Sequence, residues 1–438
     1  MRKIIIFSSI FFCMLFITIF ASGQDLLIKN GTILTVTNGT IQKGDILIVG
    51  GIIKKIGKDI EAPEGMKIID ASGKYVIPGI IDSHTHIALS AGNESSEAIT
   101  PEVRVRDVLN AEDPSIYTAL TGGVTMVHTM HGSGNPIGGQ NIVLKMKWGR
   151  PAEEIIVNEA YRTLKFALGE NPKRSNFFTP VVRYPQSRMG VNAIIRREFM
   201  KAKNYMEQWE RYEKAKNSKK SSILLIPPRK DLRMEALADM FRGKMIARCH
   251  AYRADEILEF IKLSKELGFK VVCFEHASEA FKIAKELEEE EIGISVFLDN
   301  WAYKVEAYDG IAYNAGYCTK KGVLVSLNSD SSERIRRLFN DAAKAMKYGG
   351  LSEEAALKLI TINPALQLGT EKIAGSLEVG KHGDIAIFNE HPLSAYTRCD
   401  VTIIEGEIYF DRAQYLKERE EMEKKKAEEE KKKRGGKK

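Results

Sequence analysis

Between residues 75 and 365, apolar runs of strand length alternate with amphipathic stretches of helical period. Runs such as "GVTMVHTM", "TLKFALGE", "KMIARCH", "KVVCFEH", "GISVFLD" and "VLVSLNSD" are separated by stretches such as "ADEILEFIKLSKELG" and "SEAFKIAKELEEEE". Two strands joined through a helix lie parallel, and the joining helices cover the sheet faces. So many repeats predict an α/β fold, a (β/α) barrel over residues 75–368. The charged stretch at about 189–220 is predicted as a helical insertion within it.

The flanks have a different texture. Residues 24–74 read as short strands, "DLLIKNGTILTV", "DILIVGGIIKKIG" and "MKIIDASG", joined by Asn-Gly and Gly-Gly turns. Short strands return in "GSLEVGKHGDIAIFN" and "CDVTIIEGEIYF" within 369–411. The two segments are predicted to pair as one composite β-sandwich beside the barrel. Residues 412–438 form a charged tail, a solvated helix or a disordered end.

The first 23 residues place Arg2 and Lys3 before a nearly unbroken apolar stretch that ends in small residues. That layout predicts a secretory signal peptide, hence a periplasmic or extracellular protein beginning near Gln24. An uncleaved signal is the alternative and the one route to a membrane, since the stretch is long enough to span a bilayer. The net charge of +7 resides in Arg2, Lys3 and the tail, so the body between them is close to neutral. No basic stripe crosses it, which excludes a nucleic-acid partner. The five cysteines show no C-x-x-C and no regular spacing, and Cys249 and Cys273 sit in apolar runs that suit buried thiols.

Function in such barrels collects where strands end. The run "IIDSHTHIA" ends in His84 and His86, two residues apart and therefore on one face of a strand. Other apolar runs end in Glu170, His250, His276 and Asp330. Taken singly, each has an ordinary reading: a bonded core histidine, a charge at a helix start, an N-cap. Four of the eight histidines at strand ends, together with two carboxylates, point instead to one metal-binding pocket.

With these residues in view, the chain resembles the amidohydrolase superfamily, and within it the imidazolonepropionase-like branch. The resemblance rests on "VIPGIIDSHTH", "CHAYRADEI", "FEHASEAFKI", "NSDSSE" and the closing "TINPALQLGTEKIAGSLEVGKHGDIAIFNEHPL". It implies a divalent metal, Zn2+ by donor type, held as one or two ions by His84, His86, His250, His276 and Asp330. Many members bridge two metals with a carboxylated lysine. Here Lys165 falls too early in its strand, so the bridging place is assigned to Glu170. Asp330 is expected to shuttle the proton, and His276 or His250 to polarise the carbonyl in a one-metal site.

Candidate substrate contacts are Asn135 and Gln140 in the Gly-rich loop "HGSGNPIGGQN", His131 at its start, and Arg253, which could clasp a carboxylate. The expected activity is hydrolysis of an amide or cyclic amide C–N bond in a small molecule. A dipeptide substrate and a non-catalytic metal-binding relative are the alternatives, and a homo-oligomer is compatible with either.

Overall fold

The computed structural model describes residues 25–173, 183–218 and 225–435. The segment predicted as a signal lies outside the described residues, and among them no helix is long and apolar enough to cross a membrane.

The strands Ile80–Thr85, Val124–Thr129, Thr163–Ala167 and Ile246–Ala251 are buried at every position. Strands covered on both faces read as continuous apolar runs, which is why the sequence shows no alternation there. Thr163–Ala167, Ile246–Ala251, Val271–His276, Gly293–Val296 and Val325–Leu327 pair in that order, each parallel to the next. Ile80–Thr85 and Val124–Thr129 form a second parallel pair.

The hydrogen-bonded ladder departs from an unbroken parallel ring. After Val124–Thr129 the chain doubles back as Ile137–Gln140, antiparallel to Thr163–Ala167, and Ile142–Lys145, antiparallel to Val124–Thr129. The Gly-rich loop makes this possible, because a Cβ on Gly138 would lie 2.7 Å from His131 Nδ1. The strands therefore fall into a six-stranded and a three-stranded sheet. Their far edges meet where Ser83 Oγ donates to Leu327 O (3.1 Å) and Asp330 N–H to His84 O (3.1 Å).

Both chain flanks contribute to one eight-stranded sheet. Its junction is Tyr75–Pro78, which pairs parallel with Leu26–Leu34 and antiparallel with Ile385–Phe388. A core of Leu26, Ile28, Ile33, Ile46, Ile48, Val76, Ile385, Ile387 and Ile403 fills it. A buried charge cluster ties this sheet to the metal-site half. Lys145 Nζ, 4% exposed, donates to Glu405 (2.7 Å), lies 3.0 Å from Asp384 Oδ2 and contacts His382 Nδ1 at 2.6 Å.

One helix, Arg188–Lys216, runs through the charged stretch, capped by Ser187. Its apolar residues, Val191, Ile194, Ile195, Phe199 and Ala202, recur at helical spacing and are buried. Phe199 stacks on Phe269 with ring centroids 4.6 Å apart. A helix also occupies Arg412–Gly435. Cys249, Cys273, Cys318 and Cys399 are free and buried.

Candidate metal centre

The i, i+2 spacing of His84 and His86 brings both rings to the end of Ile80–Thr85, centroids 5.1 Å apart. His86 is oriented by its Nδ1, 2.8 Å from Met130 O, and points Nε2 at Asp330 Oδ1, 3.2 Å away. One ligand atom each from His84, His86 and Asp330 fall within 4.8 Å of one another. His276 lies 5.0 Å from His84 and 4.6 Å from His250, measured between ring centroids. It is held between Tyr252 and Phe297, stacked at 5.1 and 4.7 Å. The four histidine rings thus lie next to one another.

Two of these residues sit on strained backbone. His276 has φ 71° and Asp330 φ 45°, left-handed values that non-glycine residues seldom adopt. Such conformations persist where surrounding contacts over-determine them. The Asp330 amide bonded to His84 O is one such contact.

Electrostatics follow from burial. Desolvation pushes the pKa of His84 down to about 4, with Lys165 adding to the effect, and lowers those of His250 and His276 well below the usual histidine range. Neutral imidazoles are the form that binds metal. Asp330 is desolvated too, but a hydrogen bond from His86 and the nearness of His84 and His276 hold its carboxyl well below the usual range. Asp82 shows the opposite balance. Burial raises it to about 7 although Ser329 Oγ (2.5 Å) and the amides of His84 and Ser329 donate to it.

The residues fit a divalent ion. His250 Nδ1 and His276 Nδ1 are buried without hydrogen-bond partners, and imidazole with carboxylate is a donor set for zinc.

The expectation for Lys165 is corrected. Its Nζ lies 3.1 Å from His84 Nε2 and its side chain is fully buried. Placing it early in its strand overlooked the length of a lysine side chain, which spans the distance to the strand end. Burial brings its pKa down to about 8, opposed by Glu275 and Asp330. Glu170 instead lies one-third exposed, 4.0 Å from Lys304 Nζ, and its amide donates to Glu306.

A sequence model of the amidohydrolase family matches residues 247–410. A solved amidohydrolase from Thermotoga maritima is 38% identical, with TM-score 0.80, covering 88% of this chain and 100% of that one. The chain belongs to the amidohydrolase family. The imidazolonepropionase-like branch fits that family model. Amidohydrolase tasK of Hapsidospora irregularis is 30% identical over 84% of this chain and 40% of its own length. A dihydroorotase of Caldicellulosiruptor saccharolyticus is 37% identical over 33% of this chain and 31% of its own. The chain thus spans well under half of these curated relatives. The family and the solved amidohydrolase also give the fold as TIM-barrel-type with a sheet domain.

In this amidohydrolase the side chains expected to touch substrate are otherwise engaged. Asn135 Nδ2 donates to Glu94 O and Thr100 Oγ1, both at 2.6 Å. His131 Nε2 accepts the Glu94 amide (2.9 Å), and Gln140 Nε2 donates to Pro101 O (3.0 Å). These three pin the 94–103 segment down. Arg253 pairs with Asp255 at 3.1 Å.

Two buried charges beneath the histidines escaped the sequence reading: Arg248 in "IARCH" and Glu275 in "VCFEH". The signal was present, because a charged residue inside an apolar strand is almost never buried unless paired.

Proposed function

We propose that the protein is an exported, metal-dependent amidohydrolase that cleaves an amide or cyclic amide C–N bond in a small molecule, on a distorted (β/α)8 barrel with a composite β-sandwich. The convergence of His84, His86 and Asp330 carries this reading. His84, His86, His250, His276 and Asp330 would hold the metal, Zn2+ by donor type, as one or two ions. Lys165, whose amine faces His84, would join them as a ligand in carboxylated form, as in many members of the superfamily, in place of Glu170.

When bound, the ion supplies Lewis acidity and lowers the pKa of a coordinated water toward about 7. The remaining work falls to the chain. Asp330, aimed by His86 and fixed through its own amide, takes a proton from the attacking water and returns it to the departing nitrogen. Burial keeps His276 and His250 uncharged, so neither repels the ion. Tyr252 and Phe297 fix the His276 plane and exclude water from its faces.

Metal analysis of the purified protein, with a hydrolysis screen of cyclic amides, N-acyl amino acids and dipeptides, tests the proposal. Bound metal and turnover of an amide are expected. Full metal loading with no turnover across the panel would favour the non-catalytic relative. Turnover confined to dipeptides would favour a dipeptidase, whose substrate carboxylate would need a partner other than the Arg253 already on Asp255.

A further inference from the structure

Arg248 and Glu275 have side chains 0% exposed and lie directly below the histidines. Arg248 Nε donates to Glu275 Oε1 at 2.6 Å, and its Nη2 donates to Ser83 O at 3.3 Å, the carbonyl next to His84. The second carboxylate oxygen, Glu275 Oε2, lies 3.4 Å from His84 Nδ1. Both atoms are buried and neither has a hydrogen-bond partner among the described residues, so each is left facing the other. A buried ion pair adds little stability over apolar packing of the same volume, so stability alone does not account for charges at this depth.

The geometry points to Glu275 and Arg248 as positioning residues for His84: Glu275 accepts the Nδ1 proton, Arg248 fixes Glu275 and the Ser83 carbonyl, and Nε2 is left without a proton on the pocket side. The inference rests on the metal reading above. A carboxylate can only accept, so the proton of the neutral ring belongs on Nδ1. On the other side of the ring the Lys165 side chain faces Nε2 at 3.1 Å, so Nε2 lies on the pocket side and Nδ1 on the Glu275 side. Carboxylates that fix a metal-binding imidazole in this way contribute about 10–100-fold to metal affinity.

The experiment uses the full chain and zinc, titrated against a chromophoric chelator. Wild type should bind zinc and His84→Ala should lose it. If wild type takes no zinc, or His84→Ala binds as tightly, the metal reading fails and this inference with it. Given both, a double variant, Glu275→Gln with Arg248→Met, removes the pair without stranding a charge. Its zinc dissociation constant should rise about 10–100-fold with the melting of the metal-free protein little changed. Unchanged zinc affinity in the folded variant overturns the inference while leaving the metal site standing. Nitrogen-15 NMR of the histidine rings in metal-free wild type decides the matter even if the variant does not fold. A proton on His84 Nδ1 supports the assignment, and a proton on Nε2 overturns it.

Discussion

Asp330 and His84 should fail differently when replaced. A proton-shuttling carboxylate acts in the transition state, whereas an imidazole ligand holds the metal in the ground state. Asp330→Asn is therefore expected to keep much of its metal and lose at least ~10²-fold in turnover, while His84→Ala loses metal and activity together. Metal content measured beside kcat separates the two, and near wild-type turnover in metal-loaded Asp330→Asn would remove the shuttle from Asp330. Lys165→Met tests the lysine: in wild type, mass spectrometry under native conditions should detect one added CO2, absent from the variant. At this scale the sequence was most readable where a residue type is rare and its spacing diagnostic, as in His84-x-His86 and Asp330. It was least readable where reach and pairing decide. Lys165 gets to the pocket by side-chain length, and Glu275 and Arg248 are legible only as a pair formed across neighbouring strands.

Among the elements, Ile142–Lys145 joins the two halves of the molecule through its last residue. Lys145→Met would leave Asp384, 4% exposed, and Glu405 without their shared cation. Loss of one partner from a buried pair typically costs about 3–5 kcal/mol, which urea unfolding would register as a lower midpoint. The same cluster gives an acid dependence. Burial opposes ionisation of Glu405, yet His382 and Lys145 hold its carboxyl well below the usual range. A carboxylate depressed in the folded state contributes stability above its unfolded pKa of about 4.3 and loses that contribution as pH falls below it. Unfolding midpoints should therefore drop on acidification below about pH 4, and by less in Glu405→Gln. An equal drop in that variant would place the acid sensitivity elsewhere. The antiparallel pair that includes Ile142–Lys145 was not foreseen, because strand–helix alternation counts units and is silent on a loop that doubles back.

For the whole molecule, the alternation and the two short-strand flanks made the division into a helix-covered region and a sheet region legible. Which flank strands pair was not, since pairing depends on register between segments more than 300 residues apart (Tyr75 opposite Phe388). Among the described residues the tail meets the sheet through its first turn. Arg412 donates to Cys399 O (2.8 Å), and the Tyr415 ring lies 6.1 Å from that of Phe410, whereas residues 417–431 are exposed. A chain ending after Leu416 should melt within about 0.5 kcal/mol of the full-length protein, as for surface changes that touch nothing buried. Mass spectrometry of protein exported by its native host should find an N-terminus near Gln24, and an intact Met1 would favour a retained anchor.

The shared sheet also sets an order of events during synthesis. Tyr75–Pro78 leaves the ribosome about 300 residues before its antiparallel partner Ile385–Phe388, so in the nascent chain its outer backbone groups have no mate. Exposed strand edges of this kind invite pairing with other chains. The metal-binding strands, between the two, are made while that edge is still open. Only when Glu407–Asp411 has emerged can the sheet be completed, so a ribosome stalled before that point holds a nearly finished pocket beside an unfinished, adhesive edge.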